Sequence, residues 1–505
     1  MATPAPSLTK SRSDSHSRAQ YGVGAFFVLF LNCLFFLTST GRVHTIDEVS
    51  TVVQSESLLL RHDTAIPQAV KAGIHYGKYD RSGQPHTPYP PGQSLVVAPW
   101  YGAGYYLLAR MPGVAHDISD LVGSATATFS NATFSSFAAC AALFLFTSMG
   151  LRRRDALLCA LMIAMATPLF VYSGSLFSEP LSAAIFLTAA FLLFGMTHGT
   201  QISTARIVAG GMLVGFSLHV RPTNVVAAFA FLIALLIGSK GRWRPAAIFA
   251  LVVALAGAAY LARNQMLYGN PLDFGYPATA ENGKDLNSFH TPFYVGLAGF
   301  LFSPGKSIFL FCPPVVLGIL GLPRLWRRNR GLATLCALAP LVSLAFFCSY
   351  TQWEGSYCYG PRYLVPGLVL LCLPMAAFFL DRPTWFSRAF ATLFAVGVII
   401  QVIGLSTNMM EDMIRNHYYV GNWVYRLAYS PITGQLRLIF KYIHTRPAKL
   451  GLGFDRWFLF LPAAGMPKWI VAALAVPAVA ITALSGIKLR SLCREAESQV
   501  SGEAH

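Results

Sequence analysis

The chain has 505 residues, of which 54% are hydrophobic and only 12% are charged, and its mean hydropathy is +0.52. A water-soluble protein of this length needs more charge to cover its surface, so the composition excludes that class. The formal net charge is +17, but the basic residues gather in short clusters between long apolar runs. Such clusters are typical of the cytoplasmic loops of membrane proteins, so no nucleic-acid partner is needed to explain the charge.

The first 121 residues predict a tail, a membrane helix and a long external segment. Residues 1–20 are rich in Ser and basic side chains and predict a disordered cytoplasmic tail. The uncharged run at 21–39 is long enough to cross a bilayer. Within the polar segment 41–121, the apolar stretch at 94–109 predicts a helix that lies in the membrane interface.

Eleven further apolar segments predict an all-α polytopic membrane protein with twelve membrane helices and both termini in the cytoplasm. These segments are 122–149, 155–174, 180–197, 206–220, 223–239, 246–262, 307–322, 332–350, 363–380, 388–406 and 468–487. Besides 41–121, this topology leaves the external segments 263–306 and 407–467. We expect a membrane module over 21–406, an external segment of unknown role over 407–467, and a last helix with a cytoplasmic tail over 468–505.

Polar and charged residues of several short motifs fall on the same predicted side of the membrane. The shared side therefore indicates one site at the outer face. The residues are Asp47 and Glu48 in "TIDEV", Tyr89 in "TPYPPG", Glu179 in "LFSEPL", Arg221 in "VRPTN", Lys306 in "SPGKS" and Arg362 in "YGPRY".

These motifs resemble those of the GT-C membrane glycosyltransferases, specifically the bacterial branch similar to protein-O-mannosyltransferases and aminoarabinose transferases. The resemblance covers about 40–370. It implies transfer of a sugar from a polyprenyl-phosphate donor to a lipid, glycan or protein acceptor, at the outer face of a bacterial inner membrane. It implies a carboxylate of the first external loop as general base. We expect no cofactor, with a divalent metal as an unsupported alternative. The residues that carry it are Asp47-Glu48, Tyr89-Pro90-Pro91-Gly92, Arg221-Pro222-Thr223 and Gly360-Pro361-Arg362-Tyr363.

The paired acids have several interpretations. We favour Asp47 as the base; Glu48 is the alternative base, or a ligand for a neighbouring arginine or a metal. Without the resemblance, a solvated pair at a helix end explains both. His44 lies three residues before Asp47 and suggests a metal site, which we disfavour. Two adjacent carboxylates beside a low-dielectric membrane are expected to have raised pKa values, an effect that a nearby arginine would oppose.

The remaining residues are also open to two interpretations each. Arg362 and Arg221 either clamp the donor phosphate or reach towards lipid headgroups as ordinary helix-end arginines, and Lys306 is a weaker phosphate ligand. Glu179 either orients the sugar or pairs with one of these cations. Tyr89 either stacks on a sugar ring or belongs to the interfacial aromatic belt.

Two other functions compete with sugar transfer. A transporter or flippase of a lipid-linked saccharide usually keeps its ionisable residues near the middle of the membrane, whereas here the predicted spans are nearly free of charge. A non-catalytic membrane assembly protein with the same fold is the second alternative, and only an activity assay distinguishes it.

Overall fold

The computed structural model describes residues 8–115, 118–195, 202–276, 289–416, 423–445 and 453–502. Within these ranges the protein is all-α apart from one short hairpin. Its strands β1 (Lys78–Tyr79) and β2 (Pro85–His86) are antiparallel, with Lys78 opposite His86.

Most helices coincide with the apolar segments of the sequence. They are α1 (Leu8–Thr38), α5 (Ser119–Thr128), α6 (Ser130–Ser148), α7 (Arg153–Met165), α8 (Leu169–Tyr172), α9 (Glu179–Phe194), α10 (Thr204–Val220), α11 (Val225–Gly238), α12 (Trp243–Tyr268), α14 (Ile308–Phe311), α15 (Val315–Arg328), α16 (Arg330–Cys348), α17 (Val365–Cys372), α18 (Ala377–Asp381), α19 (Phe386–Ser406) and α23 (Lys468–Gly502). Each of the twelve predicted segments overlaps with at least one of them.

The other helices lie in the segments predicted to be external. They are α2 (Ile46–Leu60), α3 (Pro67–Lys71), α4 (Gly92–Gly102), α13 (Phe293–Phe302), α20 (Met409–Arg415), α21 (Pro431–His444) and α22 (Trp457–Ala463). Single 3₁₀ turns at Pro222–Asn224 and Arg362–Leu364 precede α11 and α17.

Seven helical segments in the described part of the chain are long and apolar enough to cross a membrane, which confirms an all-α polytopic membrane protein. They are Tyr21–Thr38, Ser119–Ser148, Trp243–Tyr268, Arg330–Cys348, Arg362–Asp381, Phe386–Ser406 and Lys468–Glu495. Shorter apolar helices such as α9 and α10 pack among them.

Three features differ from the sequence-based expectation. Helix α1 begins at Leu8, inside the segment predicted to be disordered, because residues 8–20 contain no proline or glycine to end the helix. The segment 94–109, predicted as one interfacial helix, is helical throughout but changes type: α4 ends at Gly102 and is followed by a π turn over Ala103–Leu107 and a 3₁₀ turn over Leu108–Arg110. Helix α2 was not predicted at all.

The core is built from helices that approach each other through small side chains. Helices α6 and α9 pack against each other, and Ala138 and Ala142 on α6 and Ala183 and Ala190 on α9 are completely buried. The segment Arg362–Asp381 is the most deeply buried of the seven spans. Because this span starts at Arg362, that arginine lies at one end of a deeply buried helix, and its side chain is only 11% exposed.

Candidate active site

Helix α2 places the paired acids, and its first turn explains why they behave differently. Thr45 caps the helix: its hydroxyl accepts from the backbone N–H of Glu48, and the Glu48 carboxylate accepts from the backbone N–H of Thr45 at 3.0 Å. This reciprocal arrangement is a capping box. Its sequence pattern, Thr-x-x-Glu in "TIDE", was available from the sequence and would have predicted the start of α2.

Glu48 has no exposed surface and both of its oxygens accept backbone hydrogen bonds. Besides Thr45, the N–H groups of His44 and Leu176 donate to the carboxylate at 2.7 and 2.8 Å. Leu176 belongs to the loop before α9, and its carbonyl accepts from Gln93 of α4 at 2.9 Å. Glu48 therefore fastens α2 to the loop that leads into Glu179.

We expect Glu48→Gln to lower the free energy of unfolding by about 1.5–3 kcal/mol, since an amide group replaces one oxygen that accepts from buried N–H groups. Reversible unfolding of the purified protein in mixed detergent measures this loss. Glu56→Gln on the same helix is the matched control, because Glu56 is only partly buried and accepts a single long hydrogen bond of 3.4 Å from Gln68. Equal stability of both variants would contradict the anchoring role.

Asp47 points into a different environment, where its side chain is 22% exposed. The Tyr89 hydroxyl donates to Oδ1 at 2.5 Å, and Nη2 of Arg362 forms an ion pair with Oδ2. Tyr89 stands just before α4, in the proline-rich entry to that helix. The structure thus brings together residues of the first external loop and of the "YGPRY" motif.

Glu179 joins the two arginines. Its Oε1 accepts from Nη1 of Arg221 at 2.7 Å and from Nε of Arg362 at 2.9 Å, and its side chain has no exposed surface. Glu179 also lies in the first turn of α9, where the helix dipole favours a negative charge. Asp47, Arg362, Glu179 and Arg221 therefore form one continuous network of ion pairs, which we call the acid–arginine network.

Aromatic rings hold both guanidinium groups in place. Arg362 lies 4.0 Å from the ring centroid of Phe177, and Arg221 lies 4.6 Å from that of Tyr363. Such cation–π contacts fix the planes of the two groups. Both guanidinium groups are therefore held in fixed orientations inside the protein, and neither arginine extends towards the lipid headgroups.

Three tyrosines that were not predicted line the same space. The rings of Tyr76 and Tyr276 each lie 6.4 Å from that of Tyr89, and the ring of Tyr350 lies 5.9 Å from that of Tyr363. Within the described residues, their hydroxyl groups form no hydrogen bond. Burial, together with Tyr350 and Asp47, raises the pKa of Tyr76 to about 12, so that this hydroxyl stays neutral and able to donate.

The pKa of Asp47 differs from the expectation for adjacent acids. Burial alone would raise it, but the charge of Arg362, the hydrogen bonds from Tyr89 and Arg362 and the charge of Arg221 outweigh burial, and the pKa lies below its ordinary value. Glu48 points away into its own set of backbone donors, so repulsion between the two neighbours does not dominate. Asp47 is therefore ionised at neutral pH.

Lys306 lies apart from the network. Its side chain is fully buried, and Nζ donates to the carbonyl of Cys358 at 2.9 Å and lies 5.3 Å from the ring centroid of Trp423. These contacts brace the loop that leads into Arg362. Lys306 reaches this loop because Gly305, which precedes it, packs against the backbone of Val424.

A second cluster of charged and polar side chains, which the sequence did not predict, connects the start of α2 to the segment 407–467. Nε2 of His44 lies 2.8 Å from Oδ2 of Asp455, and Nε of Arg42 donates to Oδ1 of Asp455 at 2.7 Å. Burial would lower the pKa of His44, but Asp455 and Glu48 raise it above its ordinary value. In the described residues, no group of three or more His, Cys, Asp and Glu side chains is arranged to hold a metal ion.

No protein-family model and no curated protein sequence matches the chain. The chain is similar to ArnT from Cupriavidus metallidurans in two crystal structures, at 15% identity in each. The alignment with the structure bound to undecaprenyl phosphate covers 95% of this chain and 77% of ArnT, with a TM-score of 0.45. That with the apo structure covers 96% and 78%, with a TM-score of 0.46.

Proposed function

We propose that this protein is a membrane glycosyltransferase that moves a sugar from a polyprenyl-phosphate donor to an acceptor hydroxyl at the outer face of a bacterial inner membrane. The acid–arginine network supports the proposal. It contains one partly exposed carboxylate and two positioned guanidinium groups. The hydroxyl groups of Tyr76, Tyr276 and Tyr350 line the same space and have no hydrogen-bond partner among the described residues. A sugar phosphate requires these groups, namely a base, cations for the phosphate and donors for the hydroxyls.

The reaction is a displacement at the anomeric carbon. The acceptor oxygen forms the new glycosidic bond while the bond between the anomeric carbon and the phosphate oxygen breaks, and its electron pair leaves with the polyprenyl phosphate. Asp47 takes the proton from the acceptor hydroxyl. Arg362 and Arg221 stabilise the charge that develops on the phosphate.

Donor binding activates the base in this proposal. In the free protein Arg362 lowers the pKa of Asp47 and makes it a weak proton acceptor. A donor phosphate competes with Asp47 for the same guanidinium group, so its arrival weakens the ion pair and raises the pKa of the carboxylate. Glu179 keeps both arginines in position during the exchange, because it contacts Nε of Arg362 and leaves Nη2 to the ligand.

A sugar-transfer assay with detergent-solubilised protein, in which no membrane separates donor from acceptor, tests the function. A deletion strain is expected to lose one envelope sugar and accumulate the matching polyprenyl-phosphate sugar. Its envelope extract then supplies both substrates for detergent-purified protein, and mass spectrometry measures the transferred sugar. Product from solubilised protein supports a transferase, since a transporter or flippase yields no new glycosidic bond. Intact donor with the wild-type protein and a normal envelope in the deletion strain would refute the proposal.

We expect Tyr89→Phe to move the acidic limb of the kcat/KM profile to higher pH. The hydroxyl of Tyr89 stabilises ionised Asp47, so its loss raises the pKa of the carboxylate, and the base becomes protonated at a higher pH. Tyr79→Phe is the control, because Tyr79 is 56% exposed. An unmoved limb, or a shift to lower pH, would show that another group controls the acidic limb.

A further inference from the structure

Arg263 lies near the outer end of α12, on a helix that faces lipid. Only 17% of the most apolar part of α12 is buried within the protein, and Met266, one turn from Arg263, is 78% exposed. In the predicted topology this end of α12 reaches the outer surface of the membrane. Arg263 therefore stands at the level of the lipid headgroups.

The side chain of Arg263 does not reach out to solvent. Its Nη2 is buried and donates to no group in the described part of the chain, and the Tyr268 hydroxyl is likewise buried without a partner. The phenol groups of Tyr260 and Tyr268 lie near the guanidinium group. A helix-end arginine that merely seeks water would leave its terminal nitrogens exposed.

The nearby carboxylates are engaged elsewhere. Oδ2 of Asp80 contacts Nε2 of His86 at 3.1 Å, and Oδ1 accepts from the turn around Ser82. Asp273 forms an ion pair with Lys78 at 2.9 Å. A buried guanidinium nitrogen that donates to no group is poorly solvated, and no carboxylate of the described residues forms an ion pair with Arg263, so this place favours an anion from elsewhere.

We propose that Arg263 and Tyr268 bind the phosphate group of an anionic membrane lipid. The two side chains provide N–H and O–H donors for phosphate oxygens, and α12 exposes this end to the bilayer. Phosphatidylglycerol is an anionic phospholipid that supplies such a phosphate.

The site is separate from the acid–arginine network and does not rest on the proposed function. Its other wall is the β1–β2 hairpin, whose Arg81 N–H donates to the carbonyl of Leu267 at 2.9 Å. The exposed side chain of Arg81 adds a positive charge at the rim. Lipid bound here would hold the hairpin against α12.

Native mass spectrometry of delipidated protein in a neutral detergent tests the proposal with dioctanoyl phosphatidylglycerol as the probe. We expect Arg263→Gln to weaken binding at least about tenfold, since charge-assisted hydrogen bonds are lost. Arg263→Lys should fall between the wild type and Arg263→Gln. Tyr268→Phe should weaken binding less than Arg263→Gln, and it serves as the test if Arg263→Gln does not fold.

Three controls separate the sources of binding. Dioctanoylglycerol, which lacks the phosphate, should bind weakly and equally to all variants. Arg110→Gln removes a juxtamembrane arginine that lies over the ring of Tyr106 and should bind the probe like the wild type. Wild-type affinity in both Arg263→Gln and Tyr268→Phe, or an equal loss in Arg110→Gln, would overturn the site. Inorganic phosphate that binds as tightly as the lipid would overturn the assignment to a membrane lipid.

Discussion

Asp47→Asn is expected to reduce the rate of sugar transfer by about 10²–10⁴-fold, the usual contribution of a general base. Asparagine keeps the size of the side chain and still accepts one hydrogen bond, but it cannot take a proton at this position. Polyprenyl-phosphate binding should remain close to that of the wild type, because Glu179 continues to hold both arginines. Single-turnover transfer and lipid binding, measured on the same preparation, separate the two effects.

Asp63→Asn is the matched control for that experiment. Asp63 lies in the same segment, 41–121, but outside the acid–arginine network, and among the described residues its carboxylate accepts from the backbone N–H groups of Thr64 and Ala65. Transfer at the wild-type rate in Asp47→Asn would show that Asp47 is not the base. Complete loss of transfer in Glu48→Gln, at full stability, would assign the role to the other acid of the pair.

Arg362→Ala is expected to abolish nearly all transfer, and Arg362→Lys to lose most of it. Lysine keeps the positive charge but lacks the planar fork that contacts Asp47 and Glu179 with different nitrogens. Removing one preorganised donor from a developing charge typically costs about 10²–10³-fold in rate. Loss of the ion pairs adds to this cost, since Asp47 then has one donor fewer.

Polyprenyl-phosphate affinity and transfer rate should both fall in the Arg362 variants, in contrast to Asp47→Asn. Arg426→Ala provides a control on an exposed arginine of the segment 407–467 that lies over a tyrosine ring. Thermal stability in detergent has to accompany each measurement, because Arg362 also lies against Phe177 in the core. Near-normal turnover in a stable Arg362→Ala protein would reduce this residue to a helix-end anchor.

Hydrophobicity predicted the membrane helices well, because a segment that crosses lipid has to be apolar and has to form its backbone hydrogen bonds within itself. The external segments follow no such rule. The hydroxyl and amide side chains of α2 made its sequence resemble a polar loop, although Glu48 and Gln54 are completely buried. Burial of such groups is decided by partners from other parts of the chain, such as Leu176, which a single sequence does not reveal.

The candidate site was predictable as a set of residues but not as a geometry. Motif resemblance identified Asp47, Arg221 and Arg362, and the structure brings these residues together. Glu179 bridges two arginines that are distant from it in the sequence: Arg221 is 42 positions away and Arg362 is 183 positions away. The charge of Lys306 suggests a phosphate ligand. In the structure its ammonium group instead donates to a backbone carbonyl at Cys358.

The tie between His44 and Asp455 has a consequence for biosynthesis. These residues are brought together from opposite ends of the chain, and α1 also packs along α23. The ribosome releases Asp455 only after nearly all membrane helices have been made. The helix that carries Asp47 therefore acquires its last anchor late, so an incompletely synthesised chain holds its carboxylate less firmly than the finished protein does.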